Sequence, residues 1–184
     1  MMWIFGYGSL IWRVDFPYRR KQAGYVKGFS RRFWQKSVIH RGVPEKPGRV
    51  VTLLRSDDPE EQVYGIAYEI PPDQEEEVIE HLDLREGNSY IKVPTTFYPS
   101  DKSEEPFELN IYFGKENHPT NVGHAELPEI ARHIYKSKGR SGTNEEYVFS
   151  LANAMRDLCP HLQDDHLYDL EKEVKKLCEQ DKIS

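Results

Sequence analysis

The pattern of hydrophobic and polar residues changes its period about two thirds of the way along the chain. Before that point, short segments rich in β-branched and aromatic residues predict six β-strands, in WIF, AGYVKGFSRRFWQK, GRVVTLLRS, EQVYGIAYEI, SYIKVPTTFYP and FELNIYFG. Clusters of Gly, Pro, Ser and Asp predict the turns between them, in RGVPEKPG, SDDPEE and YPSDKSEEP.

Helical periodicity occurs once between the fourth and fifth strands and then throughout the last third. The segment PPDQEEEVIEHLDLRE predicts a helix that Asp73 can cap. Its apolar residues share one face: Val78, Ile79 and Leu82. In the last third, ELPEIARHIYKSKG predicts a helix that ends at a glycine. TNEEYVFSLANAMRDLCP predicts one that opens with a Thr143/Glu146 capping box, and DDHLYDLEKEVKKLCEQ predicts a third.

This order of elements predicts an α+β fold, a small mixed β-barrel with flanking helices and a helical C-terminal third. The length of 184 residues fits a single domain over residues 1–184. The chain shows neither a signal peptide nor an apolar run long enough for a membrane span. We therefore expect a soluble protein of the cytosol that does not bind membranes, and nothing in the sequence indicates an obligate protein partner.

The charge of the chain is unevenly distributed. Residues 13–49 carry eleven Lys or Arg against two acidic residues, a local charge of +9 in a chain of net charge −6. This segment either meets an anionic ligand or forms a solvated strand face that acidic helices balance. A nucleic-acid-binding barrel is the alternative from another class, through Arg31, Arg32, Phe33, Trp34 and Lys36. The acidic whole and the lack of an RNP or KH motif argue against it, so no nucleic-acid partner is expected.

The cysteines and histidines do not predict a metal site. Cys159 and Cys178 are the only cysteines, and their spacing favours free thiols of helices. His161 and His166 are five residues apart, which suits surface histidines better than a chelating pair. We therefore expect no metal and no cofactor.

The segment FGYGSL, residues 5–10, places two glycines around a tyrosine directly after an apolar strand. A turn of this kind, expected at the mouth of the barrel, can present backbone N–H groups to an anion or a developing oxyanion. It matches neither a Walker loop nor a dinucleotide loop, and Ser9 lacks the GxSxG context of a nucleophile. Acid–base chemistry by a carboxylate remains, and Asp83 and Glu86 lie where a helix ends before Gly87. By spacing alone, Glu86 is either a base that faces a pocket or an exposed helix-end carboxylate.

Five blocks in this order resemble the ChaC family of γ-glutamylcyclotransferases, of the glutathione-specific type. They are FGYGSLIW, RRFWQKSVIHRGVPEKPGRVVTL, VYGIAYEI, LDLREGNSY and SGTNEEYVFSLANAMRDL, and together they span residues 5–158. The resemblance implies the γ-glutamylcyclotransferase-like barrel fold and the cleavage of reduced glutathione to 5-oxoproline and cysteinylglycine without a metal or cofactor. A cyclotransferase for other γ-glutamyl amines would share this chemistry.

The resemblance also implies roles for particular residues. Glu86 is the catalytic general acid and base, and burial is expected to raise its pKa from the usual ~4.3. The substrate-binding turn comprises Ile4, Phe5, Gly6, Tyr7, Gly8, Ser9 and Leu10. Glu77 supports or positions, and Tyr147 lies near the substrate, although its apolar stripe fits a core residue equally well.

Two features of the sequence qualify this picture. The segment REGNSY departs from the family's more usual REKGGY, and its single glycine leaves open how mobile the following loop is. Within the basic segment, Arg32 and Arg41 are the residues expected to attract the anionic tripeptide.

Overall fold

The computed structural model describes residues 1–86 and 90–183, with the side chains of all of these except Arg85 and Glu86. They form two compact units. The barrel unit comprises Met1–Arg31 and Leu53–His118, and the helical unit comprises Arg32–Thr52 and Pro119–Ser184. The single domain expected from the length stays a prediction.

Five strands of the barrel unit close into a barrel in the order β1-β5-β2-β6-β7. They are β1 (Met2–Gly6), β2 (Arg20–Lys27), β5 (Gln62–Ile70), β6 (Tyr90–Pro99) and β7 (Phe107–Gly114). β1 and β7 pair in parallel and close the barrel, whereas the other neighbours pair antiparallel. Large apolar side chains fill the core of this unit, including Ile4, Val26, Phe97, Ile111 and Phe113. The predicted α+β class and its mixed barrel are confirmed.

The long second strand expected from the sequence is in fact two strands. β2 ends at Lys27, and β3 (Phe29–Ser37) begins after Gly28 and pairs with β4 (Gly48–Arg55) in a separate two-stranded sheet. Gly28 has a φ of 79°, which a residue with a Cβ rarely adopts. The glycine therefore breaks the strand and allows the chain to leave the barrel.

The helix between the fourth and fifth predicted strands is α1 (Glu75–Glu86), preceded by a 3₁₀ turn over Pro72–Gln74. The helix thus starts two residues after the predicted cap, Asp73. Val78 and Leu82 are buried and Ile79 is half-buried, as the apolar face predicted. In its first turn, Glu75 accepts a hydrogen bond of 2.8 Å from the backbone N–H of Met2, which ties the helix to the first strand.

The helical unit contains α2 (Leu127–Ile134), α3 (Asn144–Leu158) and α4 (Asp165–Ile183), together with the two-residue strands β8 (Lys138–Gly139) and β9 (Gly142–Thr143). The predicted glycine end of α2 is wrong, because the helix stops at Ile134 and Gly139 lies in β8. Ser137 ends the helix: its hydroxyl donates to the carbonyl of His133 at 2.5 Å, and Lys136 adopts a φ of 58°. No helix in the described part of the chain is both long and apolar enough to cross a membrane.

The predicted cap of α3 is present, since the Thr143 hydroxyl accepts from the N–H of Glu146 at 3.2 Å. Both cysteines are free thiols, Cys178 within α4 and Cys159 just after α3. His161 is exposed, as expected of a surface histidine, whereas His166 is only half-exposed. Its Nε2 atom accepts a hydrogen bond of 3.0 Å from the N–H of Phe33, and its half-buried ring stacks on that phenylalanine.

Asn144 pairs with the edge of strand β4 in the way that a neighbouring strand would. Its side chain accepts from the N–H of Arg49 at 2.7 Å and donates to the carbonyl of Arg49 at 2.8 Å, and the residue is 0% exposed. Removing the amide leaves two buried backbone groups without this partner, and each such loss costs roughly 1–3 kcal/mol.

We expect Asn144→Ala to lower the free energy of unfolding by about 2–6 kcal/mol, measured by urea titration. Asn153→Ala is the matched control in the same helix, because Asn153 is exposed, and its effect should stay within about 0.5 kcal/mol. Equal effects of the two variants would contradict the role given to Asn144.

Candidate functional site

The glycine-rich turn follows directly from the end of the first barrel strand. β1 ends at Gly6, and after Tyr7 and Gly8 the chain forms a 3₁₀ helix over Ser9–Ile11. The seven residues predicted to bind substrate fall into two groups. Ile4, Phe5, Gly6 and Tyr7 are buried, whereas Gly8, Ser9 and Leu10 are half-exposed. Direct contact with a ligand is therefore expected of the second group, while the first group holds the turn in place.

Hydrogen bonds to three other strands hold the turn, two of them from side chains of those strands and one from the side chain of Tyr7 itself. The Tyr7 hydroxyl donates to the carbonyl of Tyr112 at 2.7 Å, and the Tyr68 hydroxyl donates to the carbonyl of Leu10 at 2.5 Å. The Nη1 atom of Arg31 donates to the carbonyl of Tyr7 at 3.1 Å. A turn bonded at both ends loses little further freedom when it binds a ligand, and such pre-organisation favours anion binding.

Tyr68 lies deep enough for its environment to change its acidity. Burial, and to a lesser extent the neighbouring Tyr18, raises the pKa of the Tyr68 phenol to about 12. The hydroxyl therefore keeps its proton at neutral pH and remains a donor to Leu10.

A close contact between backbones also fixes the turn. Strand β5 runs beside β1, and a Cβ at Gly65 would lie 2.3 Å from the carbonyl oxygen of Gly6 and 2.8 Å from the ring of Phe5. At Gly6 a Cβ would lie 2.8 Å from the Cβ of Leu10. The two glycines thus allow β1, β5 and the 3₁₀ helix to approach more closely than side chains would permit.

The last turn of α1 acts electrostatically on the strand that anchors the glycine turn. Burial raises the pKa of the Tyr112 phenol, and the negative charge of Asp83 raises it further. The carbonyl of the same Tyr112 accepts the Tyr7 hydroxyl. Glu86 follows Asp83 by three residues and is the last residue of α1, as predicted, but its side chain and Gly87 lie outside the described residues.

Glu77, the predicted supporting residue, lies in the first turn of α1 and is exposed. Nine residues separate it from Glu86, which corresponds to about 13.5 Å of rise along the helix. The backbones of these two residues are therefore far apart along the helix, and the acidic first turn that contains Glu77 is what the helix dipole favours.

Arg41 and Tyr147 lie together in the helical unit. The buried Nη1 atom of Arg41 donates to the carbonyl of Thr143 at 2.9 Å and to the carboxylate of Glu146 at 3.2 Å. The guanidinium carbon lies 5.6 Å from the centre of the Tyr147 ring. Tyr147 is buried, and its hydroxyl accepts from the N–H of Val51 at 3.3 Å. These contacts are those of a core residue, so a role of Tyr147 near the substrate stays a prediction.

The basic segment is less exposed than its charge suggests. Arg31, Arg41 and Arg49 are all buried, so the local charge of +9 does not form one solvated face. Phe33 is buried as well, whereas Arg32, Trp34 and Lys36 alternate with it along β3 and are half-buried. The structure therefore removes two of the five residues named for the nucleic-acid alternative, Arg31 and Phe33. Arg32 is half-buried, and its attraction of an anionic substrate stays a prediction.

The contact between Arg31 and the turn was missed at the sequence level, although the pattern contained a hint. Phe29, Arg31 and Phe33 are two residues apart and share one face of a strand, so an arginine occupies a position that apolar neighbours predict to be buried. Among the residues that the structure describes, no cluster of His, Cys, Asp and Glu could hold a metal ion.

The fold is that of γ-glutamylcyclotransferases that act on glutathione. A crystal structure of such an enzyme from yeast, described as specific to glutathione, superposes with a TM-score of 0.84. It is 29% identical, and the match covers 96% of this chain and 98% of the yeast chain. The sequence model of the ChaC-like protein family matches residues 2–177, and the chain belongs to this family.

Two vertebrate relatives show how close the similarity is. The chain is 42% identical over 172 residues to glutathione-specific γ-glutamylcyclotransferase 1 of Danio rerio, covering 92% of this chain and 87% of that protein. It is 42% identical over 168 residues to the Homo sapiens protein of the same name, covering 90% and 75%. The family predicted from the five sequence blocks is confirmed.

Proposed function

We propose that this chain is a glutathione-specific γ-glutamylcyclotransferase, a lyase that converts reduced glutathione to 5-oxoproline and cysteinylglycine. The observation that carries the proposal is the 42% identity, over nearly the whole chain, to relatives named for this activity. The cytosol is the expected compartment, and no cofactor enters the proposed reaction.

The reaction is an intramolecular transfer. The α-amine of the γ-glutamyl residue attacks the γ-carbonyl carbon, a new C–N bond closes the five-membered ring, and the bond to the cysteinyl nitrogen breaks. The attacking α-ammonium begins with three protons and the ring nitrogen keeps one, so two protons leave it, and the departing amine takes up two as it becomes an ammonium. A well-oriented intramolecular attack can reach effective molarities of about 10⁵–10⁸ M, so holding the glutamyl arm in a folded pose supplies much of the rate.

Glu86 is proposed to carry protons between the two nitrogens. As a carboxylate it accepts a proton from the α-ammonium, and as a carboxylic acid it protonates the departing amine. Its position at the end of α1 supports this role. Asp83, in the same helical turn, raises the pKa of the Tyr112 phenol, and the main-chain carbonyl of Tyr112 accepts the hydroxyl of Tyr7 in the glycine turn.

The glycine turn is proposed to hold the γ-glutamyl group. The backbone amides of Gly8, Ser9 and Leu10 can donate to the α-carboxylate or to the oxyanion that develops on the γ-carbonyl. The hydrogen bonds to Tyr7 and Leu10 support this role, since they fix the turn before substrate arrives. Glu77 is proposed to support the site without transferring protons, and the supporting roles of Tyr147 and Arg41 stay predictions.

The activity is tested with purified, metal-free protein and three donors, with 5-oxoproline followed by mass spectrometry. Reduced glutathione should yield product, whereas γ-glutamylalanine and oxidised glutathione should not. γ-Glutamylalanine is the matched control, because it has the same glutamyl arm but lacks the cysteinylglycine half. Equal turnover of γ-glutamylalanine would indicate a broader cyclotransferase, and absence of product from all three donors would contradict the proposed reaction.

A further inference from the structure

Arg31 lies beneath the glycine turn at a position where a charged residue is rare. It belongs to the buried face of β3, and only 4% of its surface is exposed. The same Nη1 atom donates to the carbonyl of Tyr7 at 3.1 Å and to the carbonyl of Tyr64 at 3.1 Å. Arg31 therefore connects the end of β1 with β5 at the point where the turn begins.

The contact with Tyr7 affects the amide that follows. The carbonyl of Tyr7 and the N–H of Gly8 belong to the same peptide unit, so a cation that bonds the oxygen polarises the N–H. Hydrogen bonds in such chains strengthen one another, and they do so more strongly in the low dielectric of a protein interior. The Gly8 amide thus becomes a better donor to an anion than an amide without this contact.

The charge of Arg31 can also act directly on a bound anion. The guanidinium is buried, and charges interact more strongly in a buried site than in water. An anion bound on the other side of the Tyr7–Gly8 peptide would interact favourably with this charge over a short distance. Glutathione carries two carboxylates, and the one assigned to this position is the α-carboxylate of the glutamyl residue, because the glycine turn is proposed to hold the γ-glutamyl group.

We propose that Arg31 is a positioning residue that fixes the Tyr7–Gly8 peptide and uses its positive charge to favour binding of the substrate's α-carboxylate. This rests on the proposed function, and it adds the residue that makes the glycine turn selective for an anionic γ-glutamyl group. Arg31 itself does not transfer protons.

The test is a double-mutant cycle between the protein and the substrate. Glutathione is compared with an analogue whose glutamyl α-carboxylate is replaced by a carboxamide, in the wild type and in Arg31→Gln. We expect the wild type to prefer the carboxylate by about 100-fold in kcat/KM and Arg31→Gln to reduce this preference at least about 10-fold. Arg31→Lys keeps the charge and should retain most of the preference. An unchanged preference in Arg31→Gln would overturn the proposal.

Arg49→Gln is the matched control for loss of a buried arginine. Arg49 is 6% exposed, and its Nη1 atom donates to the main-chain carbonyl of Phe33 at 3.2 Å. Its replacement should lower the melting temperature while the preference for the carboxylate stays at the wild-type value. An equal loss of preference in Arg49→Gln would mean that the effect of Arg31 is only structural. If Arg31→Gln does not fold, Arg31→Met and Arg31→Lys are compared at a temperature where both are folded, and equal preferences would overturn the proposal.

Binding measured by calorimetry tests this inference independently of the proposed reaction. The dissociation constants of glutathione and its carboxamide analogue are measured with Glu86→Gln and with Glu86→Gln/Arg31→Gln, which requires no turnover. Lack of 5-oxoproline from the wild type contradicts the reaction, whereas a preference for the carboxylate that depends on Arg31 still supports the inference. If Glu86→Gln binds neither compound, or binds both equally, the inference is wrong.

Discussion

Glu86→Gln should lower kcat for glutathione by about 10³-fold while the protein keeps its fold. Glutamine has nearly the same size as glutamate, but its amide can neither accept the proton of the α-ammonium nor return one to the departing amine. General acid–base catalysis contributes roughly 10²–10⁴-fold in enzymes, and here one residue is proposed to serve both proton transfers. The measurement is the initial rate of 5-oxoproline formation at saturating glutathione, with circular dichroism to establish folding.

Glu80→Gln is the matched control, because Glu80 is an exposed carboxylate of the same helix and has no assigned role. Its kcat should stay within about 2-fold of the wild type, as is usual for exposed positions away from a site. Glu77→Gln then decides between the two carboxylates that the family resemblance singled out. A large loss of kcat in Glu77→Gln together with an active Glu86→Gln would mean that the base has been assigned to the wrong end of α1.

The strands were predicted well because strands and turns depend largely on the types of neighbouring residues in the sequence. β-Branched and aromatic runs and turn clusters located every strand of the barrel, and the apolar stripe of α1 identified Val78 and Leu82. The break at Gly28 was missed because a glycine within an aromatic run is compatible with a continuous strand until its φ is known. The end of α2 was missed for a similar reason, since it depends on the bond from Ser137 back to His133 rather than on Gly139.

The candidate site also has parts that the sequence predicts and parts that it does not. The glycine turn and the end of α1 follow from short motifs, so the sequence located both elements, while the roles given to the turn and to Glu86 stay predictions. The residues that fix the turn, Arg31, Tyr68 and Tyr112, reach it from other strands of the fold. Their contacts depend on strand pairing over long sequence separations, which local patterns do not specify. Counting charges was misleading here, because it treated buried arginines as surface residues.

Gly65→Ala should lower kcat/KM by about 10²-fold although no part of residue 65 is proposed to touch the substrate. The new methyl group would lie 2.3 Å from the carbonyl oxygen of Gly6, and because this atom belongs to the backbone, strand β1 must shift. The shift passes to the glycine turn, and a misplacement of about 1 Å can cost roughly 10²-fold in rate. Overpacking of this kind also costs about 1–3 kcal/mol of stability. We therefore expect the melting temperature to fall by about 2–12 °C.

Gly123→Ala provides a control with a similar cost in stability and no effect on the turn. Gly123 has a φ of 72°, so a methyl group strains its backbone by about 1–2 kcal/mol, yet no atom lies within 4 Å of the new Cβ. Its melting temperature should fall while its kcat/KM stays within about 2-fold of the wild type. Equal losses of kcat/KM in the two variants would attribute the effect to stability alone. A Gly65→Ala variant with wild-type kcat/KM would show that the close packing of β1 on β5 does not set the position of the turn, because the mutation alters that packing directly.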